Sequence, residues 1–438
     1  MSSKGRRLVS LLFFCLMLVA GISAGVGAKE TLTVYVPGNN VAIYLAYSEM
    51  AEKAAASLGY DIEVVTSTTW DVYFEKIAVH QASGMPVDII LVDDINAAMY
   101  LGSYMFRDLT PYVKADQVDL SQFFPAAVDI KRYKSQLMAI PVNVGVSVFY
   151  YNVDVVARFG LAKPPQDWNS SRWHWDDFVT DIRKATMDIN GDGLMDQVGL
   201  ARWTHPSDPW YWGTDFVSDD ASSSNLNDPR VAQALNTTLQ FYTEYSAVPG
   251  ALSRVAPDVR TKYSFYTGQA MLLGGLDCDA AGYQAAVKSG ANADINAAIF
   301  PKALERHTSF NSWGWAIGAS SQNPEAAWEV IKILTLDRNF IAEHAAVVQR
   351  LPALRSVVPV VIGSLMQSAP IDWNVILGAL TDDDIVRINR WYFNKNGSVA
   401  NQMIVKMLSN ITSGSKSVQE ALAETHGPLD SVLKEGAW

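Results

Sequence analysis

Indoles, carboxylates and amides are the side chains of this 438-residue sequence best suited to hold a ligand, and a few stretches concentrate them. Trp203, Trp210 and Trp212 fall within ten residues, beside Arg202 and with His205, Asp208 and Tyr211 interleaved. Trp313 and Trp315 repeat the same two-residue spacing. In an extended segment that spacing aims two rings to one side. Asp93 and Asp94 close an apolar run, Asn39 and Asn40 follow a Pro-Gly pair, Asn143 opens a valine-rich run and Asp277 comes just after Gly274-Gly275. Aromatic faces to stack on, with carboxylates and amides around them, suit a small guest that has an apolar face and a rim of hydroxyls. Each of these residues also has a plainer reading. Bulky aromatics are buried more often than displayed, Asp94 can cap a following helix, and Asn39-Asn40 can simply make a turn.

A second constellation is acidic. Asp188, Asn190, Asp192 and Asp196 stand at positions 1, 3, 5 and 9 of a loop with Gly193 at position 6. This matches the first part of a calcium loop of the EF-hand type, but position 12 is Gly199 rather than a bidentate glutamate. A structural calcium ion and a metal-free Asx turn are both open readings, and no other cofactor is called for. The six histidines are scattered without metal-ligand spacing. There is no nucleophile elbow, phosphate loop or dinucleotide fingerprint. The chain is therefore expected to bind rather than to catalyse.

These residues need elements to position them. Thr31–Val36, Asp61–Thr66 and Val87–Val92 read as strands, with helical spacing over Val41–Leu58, Tyr73–Ser83 and Ala97–Met105. Strands alternating with helices predict an α/β unit with a parallel sheet, and ligands bind beyond the carboxyl ends of such strands. Asn39, Asn40, Asp93 and Asp94 all fall there. Ile140–Asn152 (IPVNVGVSVFYYN) alternates β-branched residues and reads as a strand that leaves one lobe for another, with Asn143 at the mouth of the cleft between them. Trp313–Ile317 is a candidate second crossing. Further helices are expected over Trp175–Met187, from Asp228-Pro229 to Tyr245, over Pro324–Leu336 and through most of Thr381–Glu424, and further strands over Ala270–Leu273 and Ile295–Phe300.

Composition sets the class. Hydrophobic residues make up 49% and charged residues 18%, enough for two lobes with cores of their own. Lys4, Arg6 and Arg7 precede the apolar run Leu8–Gly21, and Val26-Gly27-Ala28 suits cleavage, so residues 1–28 are expected to be a secretory signal peptide. Its removal takes the formal charge from −11 to −14. An acidic exported protein is a poor partner for nucleic acid or anionic lipid. Cys15 leaves with the signal and sits among bulky apolar residues, which argues against a lipid anchor. Cys278 alone makes no internal disulfide.

Six stretches, in one order, then carry a resemblance: SGMPVDIILVDD (83–94), IPVNVGVSVFYYN (140–152) with GLAKPPQDW (160–168), DINGDGLMDQVGLA (188–201), FYTGQAMLLGG (265–275), WGWAIGASSQNPEAAWEVIKIL (313–334) and TSGSKSVQEALAE (412–424). The sequence resembles the extracellular solute-binding proteins of sugar ABC transporters, the maltose-binding-protein-like family. The resemblance implies an α/β fold of two lobes, each a mainly parallel sheet flanked by helices, joined by a hinge of two or three crossing segments. It implies lobe one at 29–143 plus 316–370 and lobe two at 144–313 plus 371–438. It also implies a periplasmic or extracellular monomer that closes on a mono- or oligosaccharide and delivers it to membrane permease subunits, with no nucleic acid involved. A polyamine or phosphorylated polyol as ligand, or a secreted carbohydrate-active enzyme, are the alternatives. Relatives often carry an aromatic just after the Gly-Gly pair. Here Leu276-Asp277-Cys278-Asp279 stand in that region.

Overall fold

The computed structural model describes residues 30–437 apart from 39–41, 95–103, 203–208, 262, 277–289, 291–292, 349, 370 and 383. The expected signal segment and the expected helix over Ala97–Met105 thus fall wholly or mostly outside the described residues.

The chain opens with β1 (Thr31–Pro37), α1 (Ala42–Ser57), β2 (Asp61–Ser67), α2 (Trp70–Ala82) and β3 (Ile89–Val92). The three strands pair in parallel, with β1 in the middle. All four residues of β3 are buried, as a strand covered on both faces requires. Thr69 caps α2 by accepting the Val72 N–H. A short hairpin of β4 (Arg132–Tyr133) and β5 (Gln136–Leu137) leads to β6 (Ile140–Pro141) and the ten-residue β7 (Asn143–Asn152), buried throughout.

Lobe two follows with α3 (Trp175–Lys184), β8 (Val198–Arg202), α4 (Pro229–Thr243), β9 (Ala270–Leu276), β10 (Ile295–Ala298) and β11 (Thr308–Asn311). The chain then returns through β12 (Gly314–Ile317), which joins β3 and β6 antiparallel and completes the sheet order β2-β1-β3-β12-β6. The helices α5 (Pro324–Leu336) and α6 (Arg338–Val348) pack on α1 in lobe one. Strand β13 (Leu351–Pro352) braces the start of β7, and α7 (Val358–Ser368) lies against α6. A third crossing then leads to α8 (Asn374–Leu380) on β7, then β14 (Val386–Arg387), α9 (Gly397–Thr412) and α10 (Val418–Gly436). A separate apolar cluster joins α4, α9 and α10.

The second sheet runs β14-β11-β7-β9-β8, with β10 and β13 also on β7. Pairs β8/β9 and β11/β14 are parallel, as expected. Strand β7 is the exception and runs antiparallel to β9, β10, β11 and β13. The cause is topological. Strand β11 runs toward the strap into lobe one, whereas β7 arrives from it. The carboxyl ends of β8, β9, β11 and β14 consequently point back toward lobe one. The helix expected over Pro324–Leu336 is found with those bounds, its proline in the first turn where no N–H is missed.

The two straps are close-packed. A Cβ on Gly314 would meet the Ile140 carbonyl oxygen at 2.8 Å and Lys131 Cε at 3.3 Å. Because the obstacle is backbone, Gly314→Ala is expected to destabilise the protein by about 1–3 kcal/mol, read as a lower midpoint in chemical denaturation. An unchanged midpoint would show that the straps can part.

Candidate functional site

The carboxyl ends of β1, β2 and β3 converge on the first two straps, and a polar and aromatic cluster fills the junction. Tyr44 comes from the first turn of α1, Trp70 from the first residue of α2, Asp93 and Asp94 from just after β3, and Trp313 from the strap between β11 and β12. Tyr44 lies parallel to the Trp313 indole, with centroids 5.5 Å apart and planes 14° apart. The Arg350 guanidinium stands 4.5 Å over the same ring. Trp70 meets Tyr44 and Trp313 edge-on at 6.1 and 5.8 Å and stacks on Phe74. Trp313 itself is 8% exposed. Tyr44 and Trp70 are partly exposed.

The expected binding residues are placed as follows. Asn143 is buried and spends its side chain inside the protein: Nδ2 donates to the Tyr47 hydroxyl (2.5 Å) and Oδ1 accepts the Trp313 N–H (3.0 Å). It holds the straps rather than a ligand. Asp94 is buried too, beside Lys131. Asp93 is buried among Tyr44, Tyr73 and Lys131, whose titrations all feel its charge. Trp315 is fully buried in the first sheet, edge-on to Tyr47, so it belongs to the core and not to the cleft.

Trp210 and Trp212 are also core, because Pro209–Trp212 is a turn of 3-10 helix and not a strand. At three residues per turn the alternation argument lapses. The Trp210 indole donates to Asp215 (2.8 Å), and Trp212 meets Trp175 edge-on at 4.6 Å. Burial pushes the Asp215 carboxyl up to about 6. Trp210 does border a cavity of about 580 Å³ on the flank of lobe two, shared with Arg230, Glu305, His307, Arg387 and Arg390. Asn39, Asn40, Trp203 and Asp277 lie outside the described residues.

Sequence reading did not single out Tyr44, Trp70 or Lys131. The strand-end rule that selects Asp93 also selects Trp70, three residues past β2. Arg350 is 8% exposed, with Nη1 donating to Asn311 Oδ1 (3.1 Å). Lys131 is wholly buried, and burial drives its ammonium down to about 8 against the pull of Asp94 and Asp93. Burial raises the Asp94 carboxyl, and Lys131 draws it back.

The acidic loop is closed by its own bonds. Asp188 accepts the N–H groups of Gly191 and Gly193, Asn190 that of Asp192, Asp192 that of Leu194, and Asp196 those of Ile189 and Asn190, all between 2.6 and 3.2 Å. Gly191 and Gly193 take φ of +80° and +87°, which side chains rarely adopt. Among the described residues no group of three or more His, Cys, Asp or Glu is placed to hold an ion, and no helix is long and apolar enough to cross a membrane.

Residues 38–339 match the family model described as bacterial extracellular solute-binding protein. A lactose-binding protein of Rhizobium radiobacter is 28% identical over 255 residues, 56% of each chain. A probable ABC transporter-binding protein of Deinococcus radiodurans is 23% identical over 278 residues, 59% of this chain and 62% of that one. The chain thus matches little more than half the length of these curated relatives. An ABC substrate-binding protein of Listeria monocytogenes, solved with cycloalternan, superposes with a TM-score of 0.75 at 17% identity, covering 93% of this chain and 99% of that one. A sugar transporter protein of Rhizobium etli, solved in an open conformation, gives 0.72 at 18%, covering 92% and 99%. These likenesses establish the two-lobed binding-protein fold.

Because its own hydrogen bonds hold the acidic loop folded, EDTA is expected to leave the melting temperature unchanged. A fall with EDTA in differential scanning fluorimetry would contradict this.

Proposed function

We propose, for a chain that belongs to the bacterial extracellular solute-binding proteins, that it captures a mono- or oligosaccharide between its lobes and hands it to the permease of an ABC importer. The observation that carries this reading is the partly exposed Tyr44–Trp70 pair beside the charged corner at the straps. Stacked pyranose faces and hydrogen-bonded hydroxyls are the contacts such a corner offers. The named sugars of the relatives, lactose and cycloalternan, point the same way.

Closure supplies the mechanism. A guest that touches both lobes only when they are closed shifts the population toward the closed state, and needs no covalent step. In this reading the lobes divide at 143/144, 313/316 and 370/371. The mature protein begins near residue 29, is exported, works as a monomer and requires no cofactor.

Charge separates the ligand classes. Asp93 and Asp94 lie close to Lys131 and Arg350, so the corner has as many cations as anions and favours a neutral guest over a polyamine. A phosphorylated guest would desolvate the same carboxylates at a cost.

A thermal-shift panel of lactose, maltose and mannotriose, with spermidine and glycerol phosphate as controls, tests this. A saccharide at about 100 times its Kd stabilises by roughly 2.7 kcal/mol, a rise of several degrees. Indole fluorescence is expected to change, and no product to form. Trp70→Ala should weaken that binding about tenfold, or roughly 1.4 kcal/mol. A shift with spermidine alone, or turnover of the sugar, would overturn the assignment.

A further inference from the structure

A buried cation of lobe one holds the second strap. Lys131 is fully buried, and its ammonium donates to two backbone carbonyls, those of Asp93 (3.0 Å) and Ser312 (2.6 Å). Asp94, 6% exposed, is the carboxylate whose charge acts most strongly on Lys131. The carbonyl of one strap residue is thus held from lobe one by a cation. Ser312 Oγ donates in turn to the Asn143 carbonyl (2.7 Å), and Asn143 Oδ1 accepts the Trp313 N–H. The grip on the second strap is in this way passed to the first.

The sequence around the clamp is shaped for it. Residue 314 is glycine, and a Cβ there would press on Lys131 Cε at 3.3 Å. The other charged groups that act on the pair are Asp93, at the end of β3, and Arg350, before β13. Burying an ammonium and a carboxylate is an expensive way to fill space, since apolar side chains of similar volume often serve stability as well or better. What charge-assisted hydrogen bonds add is direction. They fix the orientation of one peptide segment, which an apolar filler would leave free to tilt.

Hinges concentrate their φ/ψ change in a few residues at the ends of elements. With Ser312 and Asn143 both fixed to lobe one, rotation falls to their neighbours on the lobe-two side, Phe310 and Asn311 on one strap and Val144 to Val146 on the other. There Phe310 and Asn311 of β11 pair with Val146 and Gly145 of β7, and Leu351 of β13 pairs with Val144.

We propose that Lys131, with Asp94 as its counter-charge, clamps Ser312 to lobe one, and so fixes the lobe-one end of the hinge and sets the resting angle between the lobes. Lys131 is then a positioning residue that touches no ligand. The inference rests on the reading that the lobes close about these straps, but its test uses no sugar.

Spin labels on Glu52→Cys in α1 and Glu424→Cys in α10, both exposed, report the distance between lobes in the mature chain with Cys278→Ser. Double electron–electron resonance compares this parent with Lys131→Met and with the pair Lys131→Met and Asp94→Asn. Both variants are expected to broaden the distance distribution and shift its mean. The melting temperature should fall in Lys131→Met, where Asp94 stays buried without its cation, and recover in the double variant. Should the single variant fail to fold, the double variant decides. A distribution identical to the parent in a folded variant would overturn the clamp and leave Lys131 a stability residue only. Failure of the carbohydrate reading would show separately, as a parent distribution unmoved by every sugar in the panel.

Discussion

Everything in this molecule that resembles a moving part depends on how a few strap residues satisfy their backbone groups. The two straps run side by side between the lobes, with little room for water. Val142 gives its N–H to the Trp313 carbonyl and takes the Ala353 N–H on its own. Asn143 and Ser312 then tie strap to strap through their side chains. Buried amides left unpaired would cost about 1–3 kcal/mol each, so the straps hold together as one unit. Rotation of one lobe against the other must therefore be accommodated beside the ties and not within them.

The aromatic shell follows from the same geometry. Trp313 belongs to a strap, and its ring is packed against Tyr44 of lobe one and Arg350 from the segment before β13. Movement of the straps is thus felt at Tyr44, and through it at Trp70. Tyr73, fully buried below them, donates from its hydroxyl to the carbonyls of Tyr35 and Leu91 and so braces β1 against β3. The partly exposed rings stand on a floor that is rigid on one side and attached to the hinge on the other. In the proposed reading, a guest stacked on Trp70 would bear on the straps as well.

Much of the fold was legible because buried parallel strands and amphipathic helices leave local signatures. Val87–Val92 reads as a buried strand, found over Ile89–Val92, and Pro324–Leu336 as a helix from its spacing and its proline. The site was legible only in part. The aspartates after β3 and the asparagine opening β7 were found at the right place, but their roles come from partners far away in sequence. Tyr47 and Trp313 lie 96 and 170 residues from Asn143, and Ser312 lies 181 from Lys131. Trp210 and Trp212 misled because the argument assumed an extended backbone where the chain turns as a 3-10 helix. Arg350 has no local cue at all, since its place over Trp313 is purely tertiary. Trp70 was available to the strand-end rule and was passed over for its neighbour strand.

The central claim is that two lobes swing about tied straps to enclose a small neutral guest. Small-angle X-ray scattering of the mature protein, with and without a saturating concentration of the saccharide that stabilises it most, tests this directly. The account predicts a smaller radius of gyration and a shorter maximum dimension with sugar than without. Superimposable curves at full occupancy would mean that the guest binds without moving the lobes, and would contradict it.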